Sequence, residues 1–106
     1  MLVGFFMYYI YLIYSEPAEK YYVGYSDDAF RRLEEHNHSP RNTFTSKYRP
    51  WTLVGLFECG EDRAVAMKIE KFIKAQKNRR IFEQLRYGSE FYGPLAQLVR
   101  VPHVRD

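Results

Sequence analysis

The chain has 106 residues, a net charge of +3, 46% hydrophobic residues and 27% charged ones. This is the size and composition of one globular domain. It excludes a disordered polyelectrolyte, and no apolar run reaches the ~18 residues of a membrane span. The single cysteine, Cys59, also excludes an intramolecular disulfide framework and a Cys-rich zinc module.

Met1 to Tyr14 is apolar and aromatic, without the basic leader and small-residue cleavage site of a signal peptide. A soluble, cytoplasmic protein is expected, with Met7 as an alternative start because the pattern begins there. Met7 to Tyr14 (MYYIYLIY) reads as a strand. After the polar turn Ser15 to Glu19, Lys20 to Tyr25 (KYYVGY) reads as a second strand, giving an antiparallel hairpin. Gly24 inside it implies a bulge or a close backbone approach. Ser26-Asp27-Asp28 offers a helix N-cap. The helix is expected from Ala29 to Glu35 or His36, with Phe30 and Leu33 on its buried side.

Asn37 to Arg49 is a polar loop, and Trp51 to Phe57 (WTLVGLF) is a third strand. Glu61 or Asp62 opens a second helix whose core stripe is Val65, Ile69, Phe72 and Ile73. Glu70 falls at the border of that stripe. Arg79 to Leu85 forms a short third helix. The fold class is α+β: a three-stranded antiparallel β-sheet flanked by helices, in the order β-β-α-β-α-(α). One domain is expected over residues 1–86, with its core at about 7–78. Residues 87–106 read as an irregular tail. Reverse-translated as GCT CAG TTG GTT AGA, Ala96 to Arg100 reads like the D-arm of a transfer-RNA gene. The expectation is that the tail is read-through into a neighbouring tRNA gene.

Charge is uneven along the chain. Residues 1–30 set Lys20 against Glu16, Glu19, Asp27 and Asp28. Residues 31–50 set Arg31, Arg32, Arg41, Lys47 and Arg49 against Glu34 and Glu35. A basic stretch of this kind permits a nucleic-acid partner without demanding one. The loop from Arg41 to Arg49 also carries Phe44 and Tyr48, with Trp51 just beyond. It suits a DNA backbone and an ordinary polar connection about equally.

Four pieces stand in order: Tyr9-Ile10-Tyr11, then Tyr22-Val23-Gly24, then Arg31-Arg32-Leu33-Glu34-Glu35-His36-Asn37, then Ile69-Glu70-Lys71-Phe72-Ile73-Lys74. The set resembles the GIY-YIG nuclease superfamily, nearest its small single-domain bacterial branch. Tyr9 stands in place of the first motif's glycine, and Val23 in place of isoleucine. The resemblance implies a metal-dependent endonuclease acting on DNA, at branched or irregular structures, in repair or recombination. It assigns Tyr11 as base or water positioner, Tyr22 as its partner, Arg32 to the phosphate, His36 in support and Glu70 to Mg²⁺ or Mn²⁺. Asn78 is the candidate for the family's late asparagine. Arg31, Arg41, Lys47, Arg49, Lys74 and Lys77 are candidate nucleic-acid contacts.

Phosphodiester hydrolysis needs an activated water, a neutralised phosphate and a stabilised leaving oxygen. One carboxylate suits a hard cation that keeps most positions for water and phosphate. An arginine fork suits phosphate oxygens. A free tyrosine titrates near pKa ~10 and must be tuned, or must pass its proton on, to act as a base. Singly, each residue has a plainer explanation: Arg32 paired with Glu35 or Asp28, His36 as a cation at a helix C-terminus, Glu70 paired with Lys74. The ordered set is what points to a nuclease. The alternatives are a non-catalytic nucleic-acid-binding module that retains the fold and a protein-interaction domain. RNA is left open beside DNA, since nothing in the sequence reads the 2′-hydroxyl.

Overall fold

The computed structural model describes residues 6–102. Strands β1 (Tyr8–Ser15) and β2 (Lys20–Ser26) form the antiparallel hairpin, followed by α1 (Ala29–His38), a 3₁₀ turn (Thr45–Tyr48), β3 (Thr52–Gly60), α2 (Arg63–Ala75) and α3 (Arg79–Tyr87). A second 3₁₀ turn (Gly93–Leu95) leads to β4 (Val99–Arg100). The sheet therefore has four strands, in the order β2-β1-β3-β4, rather than the three expected. The fourth is two residues long, too short for any alternation to show in the sequence. Among the described residues, no helix is long and apolar enough to cross a membrane.

β1 is central and covered on both faces, so Ile10, Tyr11, Leu12 and Ile13 are all buried. Ile10, Leu12, Val23, Val54 and Phe57 meet Ala66, Ile69 and Ile73 of α2 and Leu85 of α3. Tyr11, Ile13, Leu53 and Leu56 meet Trp51, Ala29 and the half-buried Leu33 of α1 on the other face. The expected α2 stripe holds, with Val65 and Phe72 half-buried at its margins. The pairing of β1 with β3 shifts between Leu12 and Ile13, leaving Val54 without a partner across the ladder. This bulge keeps Leu53 and Leu56 on one face and Val54 and Phe57 on the other.

Asp28 caps α1 by accepting from the Arg31 amide at 3.0 Å, and Asp62 and Asn78 cap α2 and α3 in the same way. Phe30 corrects an expectation: it is 60% exposed. α1 lies on the sheet along Ala29, Leu33 and His36, and Phe30 sits one position off that line. The loop after α1 is tied down. The Asn37 side chain accepts from the Trp51 amide (2.7 Å) and donates to the Trp51 carbonyl (3.0 Å). Arg49 donates to the carbonyls of His36 and Ser39, each at 2.6 Å, closing the C-terminus of α1.

The tail is docked. Leu95 and Leu98 join the core beside Phe57 and Cys59. The Arg100 guanidinium lies 4.7 Å above the Phe57 ring and donates to the carbonyls of Leu85 and Gly88. The reading of Met7 as an alternative start turns on residues 1–6, which, Phe6 apart, lie outside the described residues, as do the last four residues of the tail.

Candidate active site

The site begins with a missing side chain. Tyr11 on β1 faces Gly24 on β2 across the ladder. Its ring lies over that glycine so closely that a Cβ there would overlap the phenol. Gly24 thus marks a close approach, one of the two expected explanations, and it lets the Tyr11 hydroxyl extend over the edge strand.

That hydroxyl lies 2.8 Å from His36 Nε2, and His36 Nδ1 lies 2.7 Å from Thr45 Oγ1. His36 is buried rather than exposed as a helix-end cation. Burial, then the Arg32 charge, with smaller contributions from Arg49 and Lys74 and opposition from Glu35, push its pKa down to about 4. It is therefore neutral at pH 7 and carries one N–H. Thr43 Oγ1, 3.2 Å from Thr45 Oγ1, gives the Thr45 proton a place to go. We assign the chain as Tyr11 O–H to His36 Nε2, His36 Nδ1–H to Thr45 Oγ1, and Thr45 O–H to Thr43 Oγ1. Burial pushes the Tyr11 pKa up to about 12, with Arg32 pulling against it and Tyr22 and Glu70 adding to the rise. Tyr11 is thus a phenol at neutral pH.

Arg32, on the first half of α1, is ion-paired with Glu35 and reaches the Tyr11 hydroxyl. Burial alone would lower its pKa, but the Glu35 hydrogen bond and then Tyr11 outweigh that and raise it. Tyr22 sits two residues before Gly24 on the same strand face. Its ring is edge-on to His36, with centroids 5.1 Å apart. β2 is an edge strand, so α2 on the opposite face brings its side chains around that edge. Lys74 Nζ lies 4.8 Å from the Tyr22 ring centroid and 3.5 Å from Glu70 Oε1. On the α1 side of Tyr22 opens a cavity of about 360 Å³, lined by Tyr22, Arg32, His36, Arg41, Phe44 and Thr45 among others, while Glu70 and Lys74 line a separate groove with Tyr25.

The fold therefore gathers Tyr11, Tyr22, Arg32, His36 and Glu70 from β1, β2, α1 and α2. The basic candidates divide. Arg41 lines the cavity and Lys74 sits over Tyr22, while Lys47 and Lys77 are exposed nearby and on the α2–α3 link. Arg31 is paired with Asp27 at 3.1 Å, and Arg49 is committed to the α1 carbonyls. Asn78 accepts from the Arg80 amide at 2.9 Å as the cap of α3. Sequence reasoning missed Thr45 and Thr43, whose role depends on how the loop folds back onto His36. Among the described residues, no three His, Cys, Asp or Glu side chains cluster into a closed cage. A single partly exposed carboxylate, Glu70, fits Mg²⁺ or Mn²⁺ filled out by water and phosphate oxygens.

Comparison with known proteins places the chain in a family. The GIY-YIG catalytic domain matches residues 7–84. The chain is 28% identical over 76 residues to the structure-specific endonuclease subunit SLX1 of Meyerozyma guilliermondii, an alignment covering 67% of this chain and 26% of that protein. It is 30% identical over 86 residues to a UPF0213 protein of Haloquadratum walsbyi, covering 81% of this chain and 94% of that one. The chain thus spans about a quarter of the SLX1 subunit and nearly all of the UPF0213 protein.

Proposed function

The chain belongs to the GIY-YIG catalytic-domain family, and on that premise we propose that it is a metal-dependent endonuclease that hydrolyses phosphodiester bonds in DNA at branched or irregular structures. The observation that carries the reading is the buried Tyr11–His36 contact at 2.8 Å, with the charges of Arg32 and Glu70 both acting on the Tyr11 hydroxyl and an open cavity lined by Arg32 and His36 beside it. The similarity to a structure-specific endonuclease subunit supports the branched substrate and a role in repair or recombination. RNA offers the same phosphate chemistry, so it is a second substrate to test.

Each residue has a task its surroundings allow. Arg32 presents a guanidinium fixed in charge, suited to grip phosphate oxygens once Glu35 yields it. Glu70 would hold Mg²⁺ or Mn²⁺, and the cation, when bound, supplies charge neutralisation at the phosphate and the leaving oxygen. Tyr11 accepts the proton of the attacking water at Oη while its own proton moves to His36 Nε2. In the free protein the low His36 pKa opposes that transfer; burial is its largest cause, and the charges of Arg32 and, to a smaller extent, Lys74 add to it. An arriving phosphate neutralises both cations and moves His36 toward accepting the proton. Tyr22 packs against the imidazole and keeps it aligned.

The test is cleavage of labelled branched and linear DNA and RNA with Mg²⁺, Mn²⁺ or EDTA, beside Arg32→Ala and Glu70→Ala. Metal-dependent cutting lost in both variants supports the proposal. Binding without cutting by a folded wild type would move the reading to a non-catalytic binding module.

A further inference from the structure

We propose that Phe44 is a stacking platform for an unpaired base beside the scissile phosphate, so that the site selects distorted or single-stranded nucleic acid; this deepens the nuclease reading and rests on it. Phe44 lines the same cavity as Arg32 and His36, yet its side chain is 49% exposed. Its ring is near-parallel to Tyr22 (28°, centroids 6.1 Å apart) and edge-on to Tyr48 (5.1 Å). It is the outermost of three aromatic rings leading from the reacting groups to solvent.

The platform is held in place. The next residue, Thr45, is anchored twice: its hydroxyl by His36 and its carbonyl by the Trp51 indole N–H at 2.7 Å. A ring fixed on such a loop loses little entropy when a flat partner lands on it. The surrounding charge identifies the partner. Arg41 lines the cavity, Lys47 stands exposed on the same loop, Lys20 Nζ lies 5.2 Å from the Tyr48 ring centroid, and Lys74 covers Tyr22. An exposed aromatic face ringed by cations matches a base attached to a phosphate chain. A base paired within a duplex cannot offer its face, so the platform rewards only unstacked bases. Branch points, flaps and bulges supply these.

The experiment uses DNA junctions carrying 2-aminopurine at the first unpaired position, and a fully paired duplex of the same sequence, in EDTA at low salt. Wild type, Phe44→Leu, Phe44→Trp and Arg41→Ala are compared, with folding followed by Trp51 emission. Wild type and Phe44→Trp are expected to quench the 2-aminopurine and to prefer the junction. Phe44→Leu, which keeps apolar bulk without a ring, is expected to lose the quenching and to cut the preference roughly 5- to 150-fold. Arg41→Ala is expected to weaken both DNAs alike. An unchanged preference in Phe44→Leu would overturn the platform while leaving the nuclease reading standing. No binding of either DNA by folded wild type would overturn both.

Discussion

The Tyr11 ring lies across Gly24, and the space for it exists only because Gly24 has no side chain. A single glycine on the edge strand therefore positions the residue expected to receive the water proton. Gly24→Ala forces the phenol aside. We expect a stability loss of about 1–3 kcal/mol from overpacking, and a larger loss of cleavage because Tyr11 leaves His36. Urea unfolding beside single-turnover cleavage separates the two effects.

His36 gives the protein an acid-side dependence. Unfolded it titrates near 6.5, and folded near 4. Between those values the unfolded chain takes up the proton first. This contribution is complete above about pH 6.5 and is lost as pH falls toward 4, by roughly 3 kcal/mol in all. His36→Gln is expected to lose the slope, so that its urea midpoint approaches that of wild type at low pH. Parallel curves for the two proteins would contradict the burial of a neutral imidazole.

Glu35 holds Arg32 in an ion pair, and on the proposed function it would compete with phosphate for that guanidinium. Glu35→Gln is expected to tighten DNA binding several-fold at low salt. Stability should change by less than about 1 kcal/mol, because the pair is partly exposed. Fluorescence anisotropy against salt concentration checks this. Unchanged or weaker binding would mean that Glu35 orients Arg32 rather than restraining it.

The hairpin, α1, β3 and α2 were legible because apolar period, turn residues and acidic caps all point the same way in those segments. The five candidate site residues were singled out by their order and local context, and their roles are what the proposed experiments test. Other features were not. Phe30 looked buried because the apolar residues Phe30 and Leu33 are three apart, whereas α1 actually docks along Ala29, Leu33 and His36, with a histidine completing the stripe. Thr45 became visible only once Asn37, Arg49 and Trp51 had folded the loop back. Glu35 and Lys74 looked like ordinary helix-surface partners, and both do pair locally. Their place in the site comes from the tertiary fold.

The tail was hardest to read, since β4 has no pattern to detect and Arg100 is held by carbonyls far from it in sequence. Leu95→Ala is expected to cost about 2–5 kcal/mol, as for other buried leucines; a change under about 0.5 kcal/mol would mean the tail is undocked. The proposal that it arose as read-through is checked in the genomic DNA downstream of Tyr87. A tRNA sequence there supports it, and its absence sinks it.

The most direct test of the account is single-turnover cleavage of a branched DNA in Mn²⁺ by wild type and Tyr11→Phe, with matched folding by circular dichroism. The account predicts cutting by wild type and a rate roughly 10²–10⁴ lower in Tyr11→Phe, the worth of a positioned proton acceptor. Equal rates in the two proteins would contradict it.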